Sequence, residues 1–320
     1  MFSSKKNDIE YFNLANNEGK FEINYFEEKL DAKTVDLAKG YDVVCAFTND
    51  VLDEKVIEAL ADEGVKFIAL RCAGYNNVGL NTAHRKMPVA NVPNYSPYAV
   101  AEHAMAMLLS AARHIHKAYD RTRDFNFEID GLEGFELHGK TIGVIGTGKI
   151  GKKFIDICKG FGMNVIAYDK FPDEKSGIKY VDKDDLFRES DIISIHCPLT
   201  NLSHHIINRN SISKMKKGVV ILNTSRGGLV DSDALLDGLM SGKIKAACLD
   251  VYEDEADVFS KDLSDDIVRD DILARLISMP NVLITPHQAF FTDEALKNIA
   301  STTLKNIEDF FKTGSCENQL

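Results

Sequence analysis

The chain has 320 residues, 44% of them hydrophobic and 27% charged. That is enough for two ordinary globular domains, and it argues against a disordered chain. Its net charge of −11 disfavours nucleic acid or an anionic membrane as partner. No apolar run approaches the ~18 residues that span a bilayer.

The N-terminal MFSSKKNDIE lacks the apolar core of a signal peptide, so a cytoplasmic protein is expected. Six cysteines, Cys45, Cys72, Cys158, Cys197, Cys248 and Cys316, follow no metal-ligand spacing and read as buried thiols. No metal is expected in the site.

From the N-terminus to about residue 98, apolar strand-like runs alternate with amphipathic ones. YDVVCAF (41–47), KFIALR (66–71) and PVAN (88–91) read as strands, with a helix over 54–60 between the first two. Such alternation builds a parallel sheet covered on both faces, with ligands bound beyond the carboxyl ends of its strands. Two segments follow those ends, RCAGYNNVGL and NVPNYSPYAVAEHA. RCAG reads equally as an ordinary strand-to-helix turn or as a nest of N–H groups for a carboxylate. An Ala-, Met- and Leu-rich helix over 99–113 is apolar enough to require a cover, either a domain boundary or a subunit contact. A hinge is therefore expected near residue 99.

The segment 140–170, KTIGVIGTGKIGKKFIDICKGFGMNVIAYDK, reads strand, glycine turn, helix, strand. Gly146 permits the tight turn, Gly148 lets a pyrophosphate approach the backbone, and Gly151 lets helix and strand pack closely. The phosphates would sit on the helix N-terminus. Asp169 ends the second strand, where a carboxylate accepts hydrogen bonds from an adenosine ribose and repels a 2′-phosphate. NAD is therefore expected over NADP, with the neighbouring Lys170 as the one opposing feature.

Further strands end at His196, at Thr224, Ser225 and Arg226, at Asp250 followed by Glu253 and Glu255, and at Pro286 and His287. The acidic run 253–271 reads as a solvated loop and short helix, and 292–312 as a helix returning to the first domain. A histidine beside a dinucleotide supplies or removes the alcohol proton that accompanies hydride transfer. A carboxylate orients it, and an arginine fork holds a substrate carboxylate and polarises the adjacent carbonyl. On position alone, His196 and His287 compete for the acid–base role.

At GTGKIG, CPLT, NTSRGGLVD, LDVYEDE and TPHQAF, and again at RCAGYNNV, VPNYSPYAVAEHA and RTRDFNF, the chain resembles the D-isomer-specific 2-hydroxyacid dehydrogenases, most closely their fermentative D-lactate branch. The resemblance covers nearly the whole chain. It implies two doubly wound parallel-sheet α/β domains. One is a Rossmann-type NAD domain over 99–291; the other is a smaller flavodoxin-like substrate domain over 1–98, completed by 292–320. It implies Arg226, Glu255 and His287 as the catalytic set. Gly146, Gly148, Lys149, Ile150, Gly151, Asp169, Cys197, Pro198, Thr224, Ser225 and Asp250 would contact NAD, with Asp250 positioning the nicotinamide. Ala73 and Gly74 would take the substrate carboxylate, and Tyr95 and Phe290 would lie near its side chain. Ser203 departs from relatives that carry a cofactor-binding asparagine there. The expected reaction is reduction of pyruvate to D-lactate by NADH, with domain closure excluding water, in a homodimer or homotetramer. Alternatives are a hydroxyisocaproate- or phosphoglycerate-type dehydrogenase and, from a different class, a non-catalytic NAD-sensing interaction protein.

Overall fold

The structure, a computed structural model, describes residues 1–255, 258–259 and 262–320. Its strands in chain order are β1 (Val43–Ala46), β2 (Phe67–Leu70), β3 (Val89–Ala90), β4 (Thr141–Ile145), β5 (Asn164–Tyr168), β6 (Ile192–Ile195), β7 (Val219–Asn223), β8 (Ile244–Leu249) and β9 (Val282–Ile284). All pairings between these strands are parallel. The chain divides into two compact units, Met1–Ser96 with Phe290–Leu320, and Pro97–Ala289. Both crossings fall two residues before the sequence-based positions of 99 and 292. At the first, Pro97 itself opens the helix Pro97–Arg113, since its fixed φ and missing N–H suit a first helical turn.

In the smaller unit the sheet order is β1-β2-β3. Successive side chains of a strand point to opposite faces, and the two faces are buried separately. Val44, Ile68, Leu70 and Val89 pack with Val56, Ile57 and Leu60 of the helix Glu54–Asp62. Asp53 caps that helix, accepting a hydrogen bond from Val56 N at 2.9 Å. Cys45, Phe67, Ala69 and Ala90 pack with Phe12 and with Ala300, Leu304 and Ile307 of the helix Asp293–Thr313. Phe67 stacks on Phe310 with ring centroids 4.6 Å apart. The C-terminal helix thus folds onto the first sheet although about 200 residues separate them.

In the larger unit the order is β5-β4-β6-β7-β8-β9. The chain leaves β4 toward β5 and later returns to β4's other side with β6, so β4 and β6 flank the point where strand order reverses. A bridge between Ala167 and Tyr180 extends the sheet beyond β5. The apolar helix Pro97–Arg113 is covered by its own unit: Ala104, Met105, Leu108 and Ala112 pack with Ile142, Val144, Leu222 and Cys248 of the sheet and with Phe154 and Cys158 of the helix Lys149–Gly160. The cover of these helix residues therefore comes from within the unit that begins at Pro97. The acidic run falls partly outside the described residues; its end forms the helix Asp271–Ser278.

Candidate active site

The three glycines of GTGKIG differ in what confines them. Gly146 has φ +95°, and a Cβ there would lie 2.7 Å from the backbone of His196 and Cys197, so neighbouring chain and dihedral both require glycine. A Cβ at Gly151 would lie 2.1 Å from the Gly146 carbonyl, which fixes how closely the helix Lys149–Gly160 approaches β4. Gly148 has no protein atom within 4 Å of such a Cβ. It is the N-cap of the helix and supplies no side-chain cap, so the first-turn N–H groups are offered to an anion. Lys149 is exposed beside it and Ile150 is half-buried.

Asp169 follows β5. Its Oδ2 accepts from Thr147 N (2.6 Å) and Thr147 Oγ1 (3.0 Å), and its Oδ1 accepts from Phe171 N (2.9 Å). Burial pushes its carboxyl up, but the Phe171 and Thr147 donors outweigh that and hold it below the ordinary range. The carboxylate is therefore charged and fixed, with acceptor sites remaining for a diol. Thr147 Oγ1 also lies 2.9 Å from Tyr180 OH. Thr147 and Tyr180 are supports that the sequence did not single out.

At the ends of β6 and β7, Cys197 is half-buried and Pro198 exposed; burial pushes the Cys197 thiol up to about 11, so it is neutral and unreactive at neutral pH. Ser225 Oγ donates to Ile195 O (2.9 Å). Thr224 is buried, and its Oγ1 has no hydrogen-bond partner among the described residues. An orphaned hydroxyl at a strand end suits a bound polar group. With the open N-cap at Gly148 and the ordered Asp169, it makes this strand-end face a fit for a dinucleotide. Ser203 Oγ donates to Pro198 O (2.7 Å), closing the adjoining loop.

Arg226 is half-buried, and its Nη1 donates to Ser225 O at 2.6 Å. The loop that presents it is shaped by Asn223, which accepts from Ser225 N (3.1 Å) and donates to Arg226 O (2.8 Å).

His287 Nδ1 lies 2.9 Å from Glu255 Oε1, and Glu255 Oε2 accepts from Tyr252 N at 3.0 Å. One carboxylate oxygen is thus anchored to backbone while the other orients the ring, leaving Nε2 for a reacting group. His287 has φ +55°, in the left-handed region that a residue with a side chain seldom occupies. Asp250, fully buried, holds the turn in that shape. It accepts from Thr285 Oγ1 (2.5 Å), Gln288 N (2.9 Å) and Ala289 N (2.8 Å). His103 Nε2 lies 3.2 Å from Thr285 Oγ1 and 3.4 Å from Asp250 Oδ1. Both Asp250 oxygens are therefore committed to the turn that carries His287. His103 is a further support that sequence reasoning missed, because 182 residues separate it from Thr285.

His196 does not share this setting. Its ring packs on Phe154 with centroids 4.8 Å apart, its Nε2 lies 2.8 Å from Ser194 Oγ, and its buried Nδ1 has no partner among the described residues. Burial pushes it down to about 3, so it is neutral across the working range and its role is packing. Below pH ~6.5 the unfolded chain takes up a proton at this ring that the folded chain refuses, so stability is lost as pH falls from about 6.5 toward 3. Urea unfolding at pH 7 and pH 5 should show a stability loss smaller by about 2 kcal/mol in His196→Gln than in the unsubstituted chain; equal losses would mean that the ring charges in the folded state.

In the smaller unit, Asn91 Nδ2 donates to Ala73 O (2.7 Å) and Cys72 Sγ to Gly74 O (3.2 Å), which ties down the carbonyls of the RCAG turn. Arg71 is buried, with Nε donating to Asp8 Oδ1 (3.1 Å) and Nη2 to Ser3 O (2.8 Å), and it lies 4.8 Å over the Phe47 ring. The cation at the head of RCAG is therefore structural. Phe47 lies 5.9 Å from Phe290, whose ring is 6.2 Å from Tyr95. The sequence indicated Tyr95 and Phe290; Phe47 joins them.

The family model for the D-isomer specific 2-hydroxyacid dehydrogenase NAD binding domain matches residues 105–289. D-lactate dehydrogenase of Escherichia coli K12 is 48% identical over 324 aligned residues, covering 100% of this chain and 98% of the relative. The chain belongs to the D-isomer-specific 2-hydroxyacid dehydrogenase family. Among solved structures, the apo-structure of the Escherichia coli D-lactate dehydrogenase superposes with a TM-score of 0.90 at 46% identity, covering 100% of this chain and 98% of that one. The pyruvate reductase of Chlamydomonas reinhardtii superposes at 0.89 and 45% identity, covering 97% and 94%. This 2-hydroxyacid dehydrogenase is an oxidoreductase that uses NAD, and its larger unit is the Rossmann-type NAD domain. Among its described residues no helix is long and apolar enough to cross a membrane.

Proposed function

We propose that the chain is a D-lactate dehydrogenase that reduces pyruvate with NADH, with His287 as proton donor, Glu255 as its orienting partner and Arg226 as the substrate clamp. The observation that carries this reading is the His287–Glu255 pair at 2.9 Å, built on a turn that Asp250 holds from inside an NAD domain. The names of the relatives support the choice of pyruvate and of D-lactate.

When bound, the nicotinamide supplies the hydride in reduction and accepts it in oxidation. His287 in its protonated form gives a proton from Nε2 to the carbonyl oxygen, and in its neutral form takes it back from the alcohol. Arg226 fixes the carboxylate and draws charge from the carbonyl, leaving the ketone more electrophilic. We assign the backbone at Ala73 and Gly74 to the substrate carboxylate, and Tyr95, Phe290 and Phe47 to the limits around its side chain. A methylene misfit in an apolar pocket is worth about 1–3 kcal/mol, so longer 2-oxo acids should be slower without being excluded. The test is NADH oxidation across pyruvate, 2-oxoisocaproate, phenylpyruvate and phosphohydroxypyruvate, with the chirality of the product determined. L-lactate as product, or preference for an acid other than pyruvate, would overturn the reading.

Asp169 is assigned to the ribose, with Gly146, Gly148, Lys149, Ile150 and Gly151 at the pyrophosphate and Cys197, Pro198, Thr224 and Ser225 along the nicotinamide side; Asp250, buried with both oxygens in the His287 turn, positions that side through the turn. Losing hydrogen bonds to a charged group costs about 1.5–3 kcal/mol. Asp169→Ala should therefore narrow the NADH-to-NADPH ratio of kcat/KM by roughly ten- to a hundredfold. An unchanged ratio would show that Asp169 only orders Thr147.

The larger unit exposes Ile115, Tyr119, Phe125, Phe127 and Ile129 on one stretch of chain. We assign this stretch to a second copy, in a homodimer or homotetramer; a monomeric mass by light scattering would refute it. The free thiols Cys45, Cys158, Cys197, Cys248 and Cys316 suit a reducing cytoplasm.

A further inference from the structure

The loop after β6 places two adjacent histidines unusually. His204 N donates to Thr200 O (2.8 Å) and His205 N to Gly228 O (2.9 Å). His205 takes a left-handed backbone, φ +49°. The two rings stack with centroids 3.9 Å apart at 25°. Glu253, from the segment after β8, pairs its Oε1 with His205 Nε2, while its Oε2 accepts from Ser232 N at 3.3 Å. A nitrogen of each imidazole and a carboxylate oxygen lie within 4.8 Å of one another. Both histidines line a cavity of about 270 Å³.

We propose that His204, His205 and Glu253 bind a divalent transition ion, with Zn²⁺ the ion that the donor set fits best. Two imidazole nitrogens and one carboxylate oxygen form a borderline-soft set, and three protein ligands leave a position for water. A tetrahedral ion with bonds of about 2.1 Å needs its ligand atoms about 3.4 Å apart. His204 is exposed while His205 and Glu253 are half-buried, so His204 tilts inward to close the set. Ser232 N orients Glu253 as an outer partner. His205 and Glu253 stand 48 positions apart and leave no sequence motif.

The ion would sit beside the reaction machinery without touching it. His205 is bonded to Gly228, two residues after Arg226, and Glu253 lies two residues before Glu255. A Cβ at Gly227 would lie 1.9 Å from Tyr252 O, so the Arg226 loop and the Tyr252–Glu255 segment pack directly on each other. Drawing Glu253 toward an ion moves the segment that fixes Glu255, and bound Zn²⁺ inhibits the enzyme reversibly. Only this inhibitory arm rests on the roles proposed for Arg226 and Glu255.

The experiment titrates Zn²⁺ alone into EDTA-treated full-length protein by calorimetry, for the unsubstituted chain and for His204→Asn. This variant removes the exposed ligand and keeps the His205–Glu253 pair, and thermal unfolding verifies its fold. One ion per chain is expected, with affinity at least about tenfold weaker in the variant and NADH oxidation correspondingly less sensitive to Zn²⁺. Inhibition should reverse with EDTA. Equal affinity in both proteins, or binding abolished by alkylating the cysteines, would overturn the site. Binding lost in His204→Asn without inhibition in the unsubstituted enzyme would keep the site and overturn its coupling to catalysis.

Discussion

His287→Asn is expected to lower kcat for pyruvate reduction by about 10²–10⁴, the usual contribution of a positioned general acid, while KM changes little. Glu255 acts through the same ring, so its substitution should not add to that loss. Its two oxygens accept from two different donors, Tyr252 N and His287 Nδ1. In Glu255→Gln one of those positions becomes an NH₂ group. If the amide faces Tyr252 with its NH₂, two donors oppose each other. If it is flipped, Nδ1 must become an acceptor, and the ring is held in the wrong tautomer for a cycle that returns through neutral His287. Either mismatch costs about 1–3 kcal/mol, so kcat should fall roughly five- to 150-fold. The double variant should be no slower than His287→Asn alone, because an orienting group has nothing left to orient. Multiplicative losses in steady-state kinetics would show that Glu255 acts on the substrate directly.

Much of this arrangement is legible in the chain because it depends on local chemistry. The glycine turn follows from backbone needs at Gly146 and Gly151, and Asp169 from its place at a strand end. The pairing of Glu255 with His287 spans two strand ends of one sheet, and its identification rests on motif resemblance, since His196 occupies an equivalent strand end. What separates the two histidines is burial, which position along the chain does not encode. Supports across long separations are equally hidden: His103 beneath Thr285, Tyr180 on Thr147, Phe47 beside Phe290. The helix Pro97–Arg113 shows a further limit, for its apolar character announces a cover without naming it. The β4-β6-β7-β8 surface, whose strands are drawn from residues 141–249, provides that cover.

Arg226→Lys is expected to be nearly as damaging as Arg226→Ala, although it preserves the charge. The guanidinium is oriented from within its own loop: Nη1 donates to Ser225 O at 2.6 Å, and Asn223 fixes that carbonyl's loop through Ser225 N and Arg226 O. The planar fork is thereby held at Nη1, which leaves Nε and Nη2 for the substrate carboxylate we propose it binds. Lysine replaces this with a single ammonium on a flexible stem. It can bond Ser225 O or reach a substrate, and its three donors do not match a bidentate acceptor. Two charge-assisted hydrogen bonds, at about 1.5–3 kcal/mol each, are at stake. The alanine variant should lose about 10³-fold or more in kcat/KM, and the lysine variant should fall within about tenfold of it. Most of the loss should appear in KM for pyruvate, since carboxylate binding precedes the chemical step, with a smaller fall in kcat from the unpolarised carbonyl. Near-normal kinetics in the lysine variant would remove the bidentate role and reduce Arg226 to a point charge. A kcat loss with unchanged KM would instead assign the guanidinium to the carbonyl alone, leaving the carboxylate to other donors.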